Sequence, residues 1–137
     1  MAFQIKQEWA RRPVWLNIVL LFCLYMTFLY SPFDVLFKSL ATDEDVWLGL
    51  VFHGWQAKLG GAVHWLVYGA LAWGLWHMTS WAWWLGSIYA TQVMLAMFLW
   101  PVFTLDPPNW TGGVIAGLLF ALPAIAFWRS RALFQSA

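Results

Sequence analysis

Four long apolar runs divide the sequence, and its polar residues are concentrated in the segments between them. The runs cover about residues 13–30, 62–78, 81–103 and 111–128, and the shortest has 17 residues. At about 1.5 Å of rise per residue, each run forms a helix close to the roughly 30 Å thickness of a hydrocarbon layer. The pattern therefore predicts an all-α integral membrane protein, a bundle of four transmembrane helices that forms one domain over residues 1–137.

Short polar or proline-containing links separate the later runs. The Met78-Thr79-Ser80-Trp81 link is so short that the second and third helices must form an antiparallel hairpin. Residues 105–109 combine Asp106, Pro107, Pro108 and Asn109, which are residues typical of turns. This cluster predicts the end of the third helix and the start of the fourth.

The connection between the first two runs, residues 31–61, is longer than a plain turn. It opens with an i, i+3, i+4, i+7 stripe of apolar residues that is interrupted by polar ones, a pattern typical of an amphipathic helix lying at a membrane interface. The stripe consists of Phe33, Leu36, Phe37 and Leu40. We therefore predict an interfacial, extracytoplasmic segment here.

Two further signals occur inside this segment. Thr42 and Asp45 have the spacing of a capping box, which predicts a new helix starting at Asp43. The apolar stretch 46–55 fits a strand as well as a helix, because periodicity does not separate the two in a short run. The pair Gly60-Gly61 predicts a break before the second span.

Composition supports a membrane location. Hydrophobic residues make up 63% of the chain and charged residues 9%, whereas soluble domains carry roughly 25% charged residues. Many of the 13 tryptophans flank the apolar runs, as they do at membrane interfaces. A net charge of +1 gives no basic field that would favour nucleic acid as a partner.

Charge placement predicts the orientation. If the number of spans is even, five basic residues fall on one side and five acidic residues on the other. The basic residues are Lys6, Arg11, Arg12, Arg129 and Arg131, and the acidic ones are Asp34, Asp43, Glu44, Asp45 and Asp106. The positive-inside rule then places both termini in the cytoplasm. The make-up is that of small inner-membrane proteins of bacteria.

Small residues four positions apart mark a helix interface in the fourth span. Gly113, Gly117 and Ala121 lie on one face, where they allow the backbones of neighbouring helices to approach closely. The interface is either with another helix of the same chain or with a second copy or another membrane subunit.

Few polar residues lie inside the spans, and each is a functional candidate because a polar group in hydrocarbon is costly. Gln92 lies near the middle of the third span, one turn from Tyr89, and Asn17 lies one turn into the first span. For both amides we expect an interhelical hydrogen bond worth about 1 kcal/mol. The alternative is contact with a ligand or a permeation path.

The second span carries His64, with Trp65 beside it and Tyr68 one turn further. His64 and Tyr68 have the spacing of a weak acid–base pair. Bis-histidine haem ligation needs histidines on two helices, and the first, third and fourth spans contain none. The sequence therefore predicts neither a metal nor another cofactor, and a pigment bound through His64 is left as an alternative.

Asp43, Glu44 and Asp45, with His53 nearby, form the one cluster of acidic side chains. Their spacing matches no metal-ligand motif. They are either a solvated first helical turn that complements the helix dipole, or an acidic mouth on the extracytoplasmic side. With nearby tryptophan rings, such a mouth would attract a cation.

The sequence contains no catalytic signature, such as a phosphate-binding loop, a nucleophile elbow or a zinc-protease helix. We therefore expect a non-enzymatic membrane protein that contacts lipids and binds a hydrophobic ligand, or that joins a larger complex through its Trp-rich surfaces. The alternatives are a small oligomeric transporter or channel lined by Gln92 and Asn17, a haem or pigment protein, and an interfacial enzyme that uses His53, His64 and the acidic cluster.

Overall fold

The computed structural model describes residue 7 and residues 9–135, and most of them are helical. Four long helices account for this content, and a two-stranded hairpin joins the first two. The elements are α1 (Val14–Leu36), β1 (Glu44–Trp47), β2 (Leu50–His53), α2 (Gly54–His77), α3 (Ser80–Thr104) and α4 (Trp110–Arg129). Single 3-10 turns lie at Leu40–Thr42 and Arg131–Phe134.

Three of these helices, α1, α3 and α4, are long and apolar enough to cross a membrane. The prediction of a mostly helical protein is confirmed, and these three helices have the length and composition of membrane spans. Helix α2 has 24 residues, a comparable length, but it also contains polar residues such as Lys58 and His64. These side chains lower its hydropathy, and the structure uses both of them in contacts with the hairpin.

Helix α1 continues beyond the predicted end of the first span at residue 30. It contains one π-helical turn, Met26–Tyr30, and then runs on to Leu36. A helix is present at the predicted position, over Ser31–Leu36, but it continues α1 and is not separate from the first span. The wider π turn ends two residues before Pro32, which lacks the N–H that a regular helix would use at this point.

The segment after α1 forms a β-hairpin, so the predicted helix starting at Asp43 is wrong. The strands pair antiparallel, with Glu44 opposite His53 and Trp47 opposite Leu50. Leu48 and Gly49 make the two-residue turn with φ of +50° and +84°, as a type I′ turn requires. Strand β2 ends at His53, and α2 follows at once from Gly54.

The pair Gly60-Gly61 lies inside α2, so the predicted break before the second span is also wrong. A Cβ atom on Gly60 would collide with the carboxylate of Asp45 and would lie 2.6 Å from Nε1 of Trp47. A Cβ atom on Gly61 would come within 3.3 Å of the carboxylate of Asp34. The two glycines therefore let the hairpin and the end of α1 pack directly on α2.

The hydrophobic core is concentrated where α1 begins, α2 ends and α4 ends, which we call the terminal end of the bundle. Its members come from all four helices and from the last 3-10 turn: Leu16, Leu20, Cys23, Leu71, Ala72, Leu75, Met78, Ala82, Phe127 and Phe134. The opposite end, which carries the β-strands and the α3–α4 turn, is the hairpin end. It is less completely packed, and the candidate site lies there.

Candidate ligand-binding site

A cavity of about 360 Å³ lies at the hairpin end between α1, β1, α2 and α3. One part of its wall is polar and includes Asp45, His64, Tyr68, Tyr89 and Gln92. Another part is apolar and includes Met26, Val93, Ala96, Met97 and Trp100. The volume lies within the range of small-molecule sites, and an apolar wall with a few converging polar groups is their usual composition.

His64 is at the centre of the polar wall. Its ring stacks on Trp47, with the centroids 4.1 Å apart and the planes 14° apart. Its Nε2 lies 3.4 Å from Oδ1 of Asp45, and its Nδ1 is hydrogen-bonded to the hydroxyl group of Tyr89. When Nε2 carries the proton and points to Asp45, the Tyr89 hydroxyl donates to Nδ1. The three side chains then form a continuous chain of hydrogen bonds from strand β1 through α2 to α3.

Both ring nitrogens of His64 are thus engaged, and one ring face is covered by Trp47. A haem iron or a pigment metal needs a free lone pair on one of these nitrogens. The arrangement therefore argues against His64 as an axial ligand. The ring of Tyr68 is 6.4 Å from that of His64 and packs edge-on against Tyr89 at 5.4 Å, so Tyr68 belongs to the same aromatic group.

Three neighbouring groups hold the carboxylate of Asp45 in place. Its Oδ2 accepts from Nε1 of Trp47 at 2.8 Å, its Oδ1 accepts from the backbone N–H of Val46 at 2.9 Å, and His64 lies alongside. Burial by itself raises the pKa of Asp45, but the bonds from His64, Trp47 and Val46 outweigh burial and lower that pKa. Asp45 is therefore an ionised carboxylate at the cavity wall.

Among the described residues that line the cavity, Gln92 is the one with buried polar side-chain atoms that lack a partner. Both its Nε2 and its Oε1 are buried, and neither has a hydrogen-bond partner among the residues that the structure describes. The expected interhelical hydrogen bond is therefore wrong for Gln92. A buried amide without partners costs about 1–3 kcal/mol, and a group of this kind calls for a specific explanation.

Asn17 is at the other end of the bundle, so the structure does not bring the two amides together. Its Oδ1 accepts from Nε of Arg12 at 2.9 Å, and its Nδ2 donates to the carbonyl oxygen of Trp9 at 2.9 Å. The guanidinium group of Arg12 also donates to the carbonyl oxygen of Trp76 at 2.9 Å. Arg12, which Asn17 holds in place, thus caps the last turn of α2.

The acidic cluster separates into three different environments. Asp43 is only 3% exposed and lies between Lys38, at 2.9 Å, and Lys58, at 3.0 Å. Glu44 faces His53 across the hairpin in an exposed pair at 3.4 Å. Asp45 and Glu44 line the cavity, whereas Asp43 ties the hairpin to the helices. The predicted helical first turn is therefore absent here, and Glu44 and Asp45 are the members of the cluster that line the cavity.

The Asp43 cluster also shifts the pKa values of its members. Burial raises the pKa of Asp43, but the hydrogen bonds and charges of Lys38 and Lys58 outweigh burial and lower it. The bond to Asp43 raises the pKa of Lys38 against a smaller opposing effect of burial. Asp43 and Lys38 are therefore held in their charged forms.

The remaining candidates have structural contacts. Nε1 of Trp65 donates to the carbonyl oxygen of Thr27 at 2.8 Å and joins α2 to α1 beside the cavity. A Cβ atom on Gly113 would lie 2.5 Å from the carbonyl oxygen of Phe98, and one on Gly117 would lie 3.0 Å from Cβ of Phe98. Gly113 and Gly117 therefore pack against α3, and Ala121 follows them one turn later on α4.

A second, largely apolar cavity of about 210 Å³ lies nearer the middle of the bundle. It shares Tyr68, Tyr89 and Val93 with the first cavity, and Cys23 and Ala90 lie in its wall. Sequence patterning did not single out Tyr30 and Trp100 as wall residues, because the pattern of an apolar helix does not show which of its faces meets a cavity. The two cavities share a wall at the tyrosines.

No protein-family model matches the chain, and no curated protein or solved structure is similar to it at a significant level. The chemistry of the cavity is therefore the basis for assigning a function.

Proposed function

We propose that this chain is an integral membrane protein with four spans that binds an amphiphilic small molecule, drawn from the bilayer, in the cavity at the hairpin end. The polar part of the ligand contacts Gln92 and the groups around His64. The apolar part contacts the wall formed by Met26, Val93 and Met97. The role is binding rather than catalysis.

The buried amide of Gln92 is the observation that carries this proposal. An orphaned donor and an orphaned acceptor are stabilised when a ligand supplies the complementary acceptor and donor. The surrounding polar groups are already bonded to one another, through Asp45, His64 and Tyr89. Gln92 is therefore the group whose hydrogen bonds remain for a ligand.

The packing of α2 supports a fourth span. Its last turns contact α1 at the terminal end through Leu71 and Leu75, and Lys58 in its second turn donates to the carbonyl oxygen of Asp34 near the other end of α1. Helix α2 therefore runs antiparallel to α1 over most of its length. A helix that accompanies a membrane span in this way crosses the same layer.

An even number of spans places both termini on one side, with Arg11, Arg12, Arg129 and Arg131 in the cytoplasm. Lys6, the fifth basic residue of the prediction, lies outside the described residues. Reporter fusions after Ala137 and within the β-hairpin are expected to report opposite sides of the membrane. Reporters on the same side would contradict the four-span arrangement.

The terminal end of the bundle favours binding over conduction. A permeation path through the bundle would have to continue from the cavity past Leu16, Leu20 and Leu75, which are fully buried and closely packed. Asn17, which a path would need as a second polar group, is bonded to Arg12 instead. The cavity at the hairpin end therefore has the character of a closed-ended binding site.

The test is mass spectrometry of the small molecules that co-purify with the protein in mild detergent. We expect one amphiphilic species in stoichiometric amount with the wild type and its loss in Gln92→Leu. Gln56→Leu is the matched control, because it makes the same chemical change at an exposed position of α2. Identical extracts from the wild type and Gln92→Leu would contradict the proposal.

A further inference from the structure

The charge of the cavity wall restricts the chemistry of the ligand. Asp34, Glu44 and Asp45 all line the cavity, whereas the only basic side chain among its described lining residues is His64. Lys38 and Lys58 are close by, but their charges are directed to Asp43 and Asp34. The charges of Lys38 and Lys58 are balanced by Asp34 and Asp43. The carboxylates of Glu44 and Asp45 therefore remain as the negative charges of the cavity wall.

Asp45 is the most deeply placed of those carboxylates, with its side chain 18% exposed. It accepts hydrogen bonds from two uncharged donors, the indole N–H of Trp47 and the backbone N–H of Val46, and Nε2 of His64 lies 3.4 Å from its Oδ1. These donors hold the negative charge in place without cancelling it. A fixed anion in a partly desolvated wall attracts a ligand cation and repels a ligand anion.

Aromatic rings provide the second, independent feature. Tyr30, Tyr68, Tyr89 and Trp100 line the same cavity. Ring faces attract organic cations, and this attraction is larger where water is excluded. The unpartnered Oε1 of Gln92 adds a buried acceptor for an ammonium N–H, and its Nε2 adds a donor for an oxygen on the same ligand.

We infer that the ligand is a lipophilic cation, an amphiphile whose ammonium head lies between the carboxylate of Asp45 and the amide of Gln92. This inference rests on the proposed function and specifies its ligand class. The apolar part lies along Met26, Val93 and Met97, next to the second cavity behind Tyr68 and Tyr89. Anionic amphiphiles such as fatty acids are excluded by the same charges.

The experiment compares three probes with the same eight-carbon chain and different heads: octylammonium, octanol and octanoate. Their affinities for the purified, delipidated protein are measured by calorimetry in a neutral detergent at pH 7. We expect octylammonium to bind at least tenfold more tightly than octanoate, with octanol between them. Octanoate binding as tightly as octylammonium, or no binding of octylammonium, would overturn the inference.

Two variants test the origin of this preference. Asp45→Asn removes the negative charge and retains one of the two acceptor oxygens that Trp47 and Val46 use, and it is expected to abolish the preference for octylammonium. Glu44→Gln changes an exposed carboxylate at the cavity rim, and we expect a reduction of about twofold, since solvent screens that charge. A preference that persists in both folded variants would overturn the inference.

Gln92→Leu separates this inference from the proposed function. If Gln92→Leu weakens the binding of all three probes, and the wild type binds the three with equal affinity, the binding function stands and the cationic ligand class is wrong. If Gln92→Leu changes the affinity of no probe, both are wrong. If Gln92→Leu weakens the binding of octylammonium, and the wild type prefers octylammonium to the other probes, the proposed function and the cationic ligand class are both supported.

Discussion

Each end of the bundle holds a partly buried carboxamide residue, and the two amides have opposite surroundings. At the terminal end, Asn17 both accepts from Arg12 and donates to the carbonyl oxygen of Trp9. At the hairpin end, both amide atoms of Gln92 are buried without a partner among the described residues. The same chemical group therefore serves the fold at one end and remains available to a ligand at the other.

The comparison extends to the buried charges. Arg12 at the terminal end donates to carbonyl groups at the end of α2, and Asp43 at the hairpin end is held by Lys38 and Lys58. Both ions complete the fold, because each satisfies groups on a different element. Burial of a polar group is thus a weak indicator of function, and an unmet hydrogen-bonding capacity is a stronger one.

The largest effect is expected from Lys58→Met, which leaves the buried carboxylate of Asp43 with one lysine. Breaking a buried ion pair costs about 3–5 kcal/mol, and we expect the lower part of this range since Lys38 remains. The free energy of unfolding in detergent is the measurement. His53→Gln is the control: it removes an exposed pair with Glu44 and is expected to change stability by less than about 0.5 kcal/mol. Equal effects would mean that the Asp43 cluster does not hold the hairpin.

The same cluster predicts a dependence on pH. The pKa values of Asp43 and Asp45 in the folded protein are below the ordinary value of 3.8, so the unfolded chain binds more protons between the folded values and 3.8. The stabilisation is present above pH 3.8 and is lost as the pH falls through the folded values. Unfolding followed from pH 6 down to pH 2 should show this loss, and Asp43→Asn should reduce it. Constant stability over that range would contradict the assignment.

A smaller effect is expected from Gly117→Leu. A Cβ atom at this position already lies 3.0 Å from Cβ of Phe98, so a larger side chain separates α3 from α4 at a cost of about 1–3 kcal/mol. Leu118→Phe is the control, because Leu118 is 66% exposed and points away from the bundle. Thermal unfolding in detergent is the measurement. If the two variants lost the same stability, the face of Gly113, Gly117 and Ala121 would not be a helix interface.

The sequence predicted the long helices because their apolar runs are long and their ends carry strong local signals. Asn109 illustrates such a signal: its side chain accepts from the backbone N–H of Gly112 at the start of α4. The hairpin was missed because its acids have partners that are distant in sequence. Asp43 pairs with Lys58 and Asp45 with His64, and no local pattern shows that these two acids are unavailable as helix caps.

The sequence predicted only part of the candidate site, because it does not show contacts between distant residues. Gln92, Tyr89, His64 and Tyr68 were selected as polar or titratable residues within spans, and the structure places all four in one cavity. Asn17 and Trp65 satisfied the same criterion but are used for packing. Sequence identifies which residues are polar at membrane depth, whereas only the three-dimensional contacts show which of them lack partners.

The central claim is tested most directly by the stabilities of two matched variants, Asn17→Leu and Gln92→Leu, in delipidated protein. Asn17→Leu leaves Nε of Arg12 and the carbonyl oxygen of Trp9 without this partner, and we expect a loss of about 2 kcal/mol. Gln92→Leu removes an amide that has no hydrogen-bond partner among the described residues, and we expect unchanged stability or a gain of about 1 kcal/mol together with loss of the co-purifying ligand. A loss of stability in Gln92→Leu as large as that in Asn17→Leu, with the ligand retained, would contradict the account.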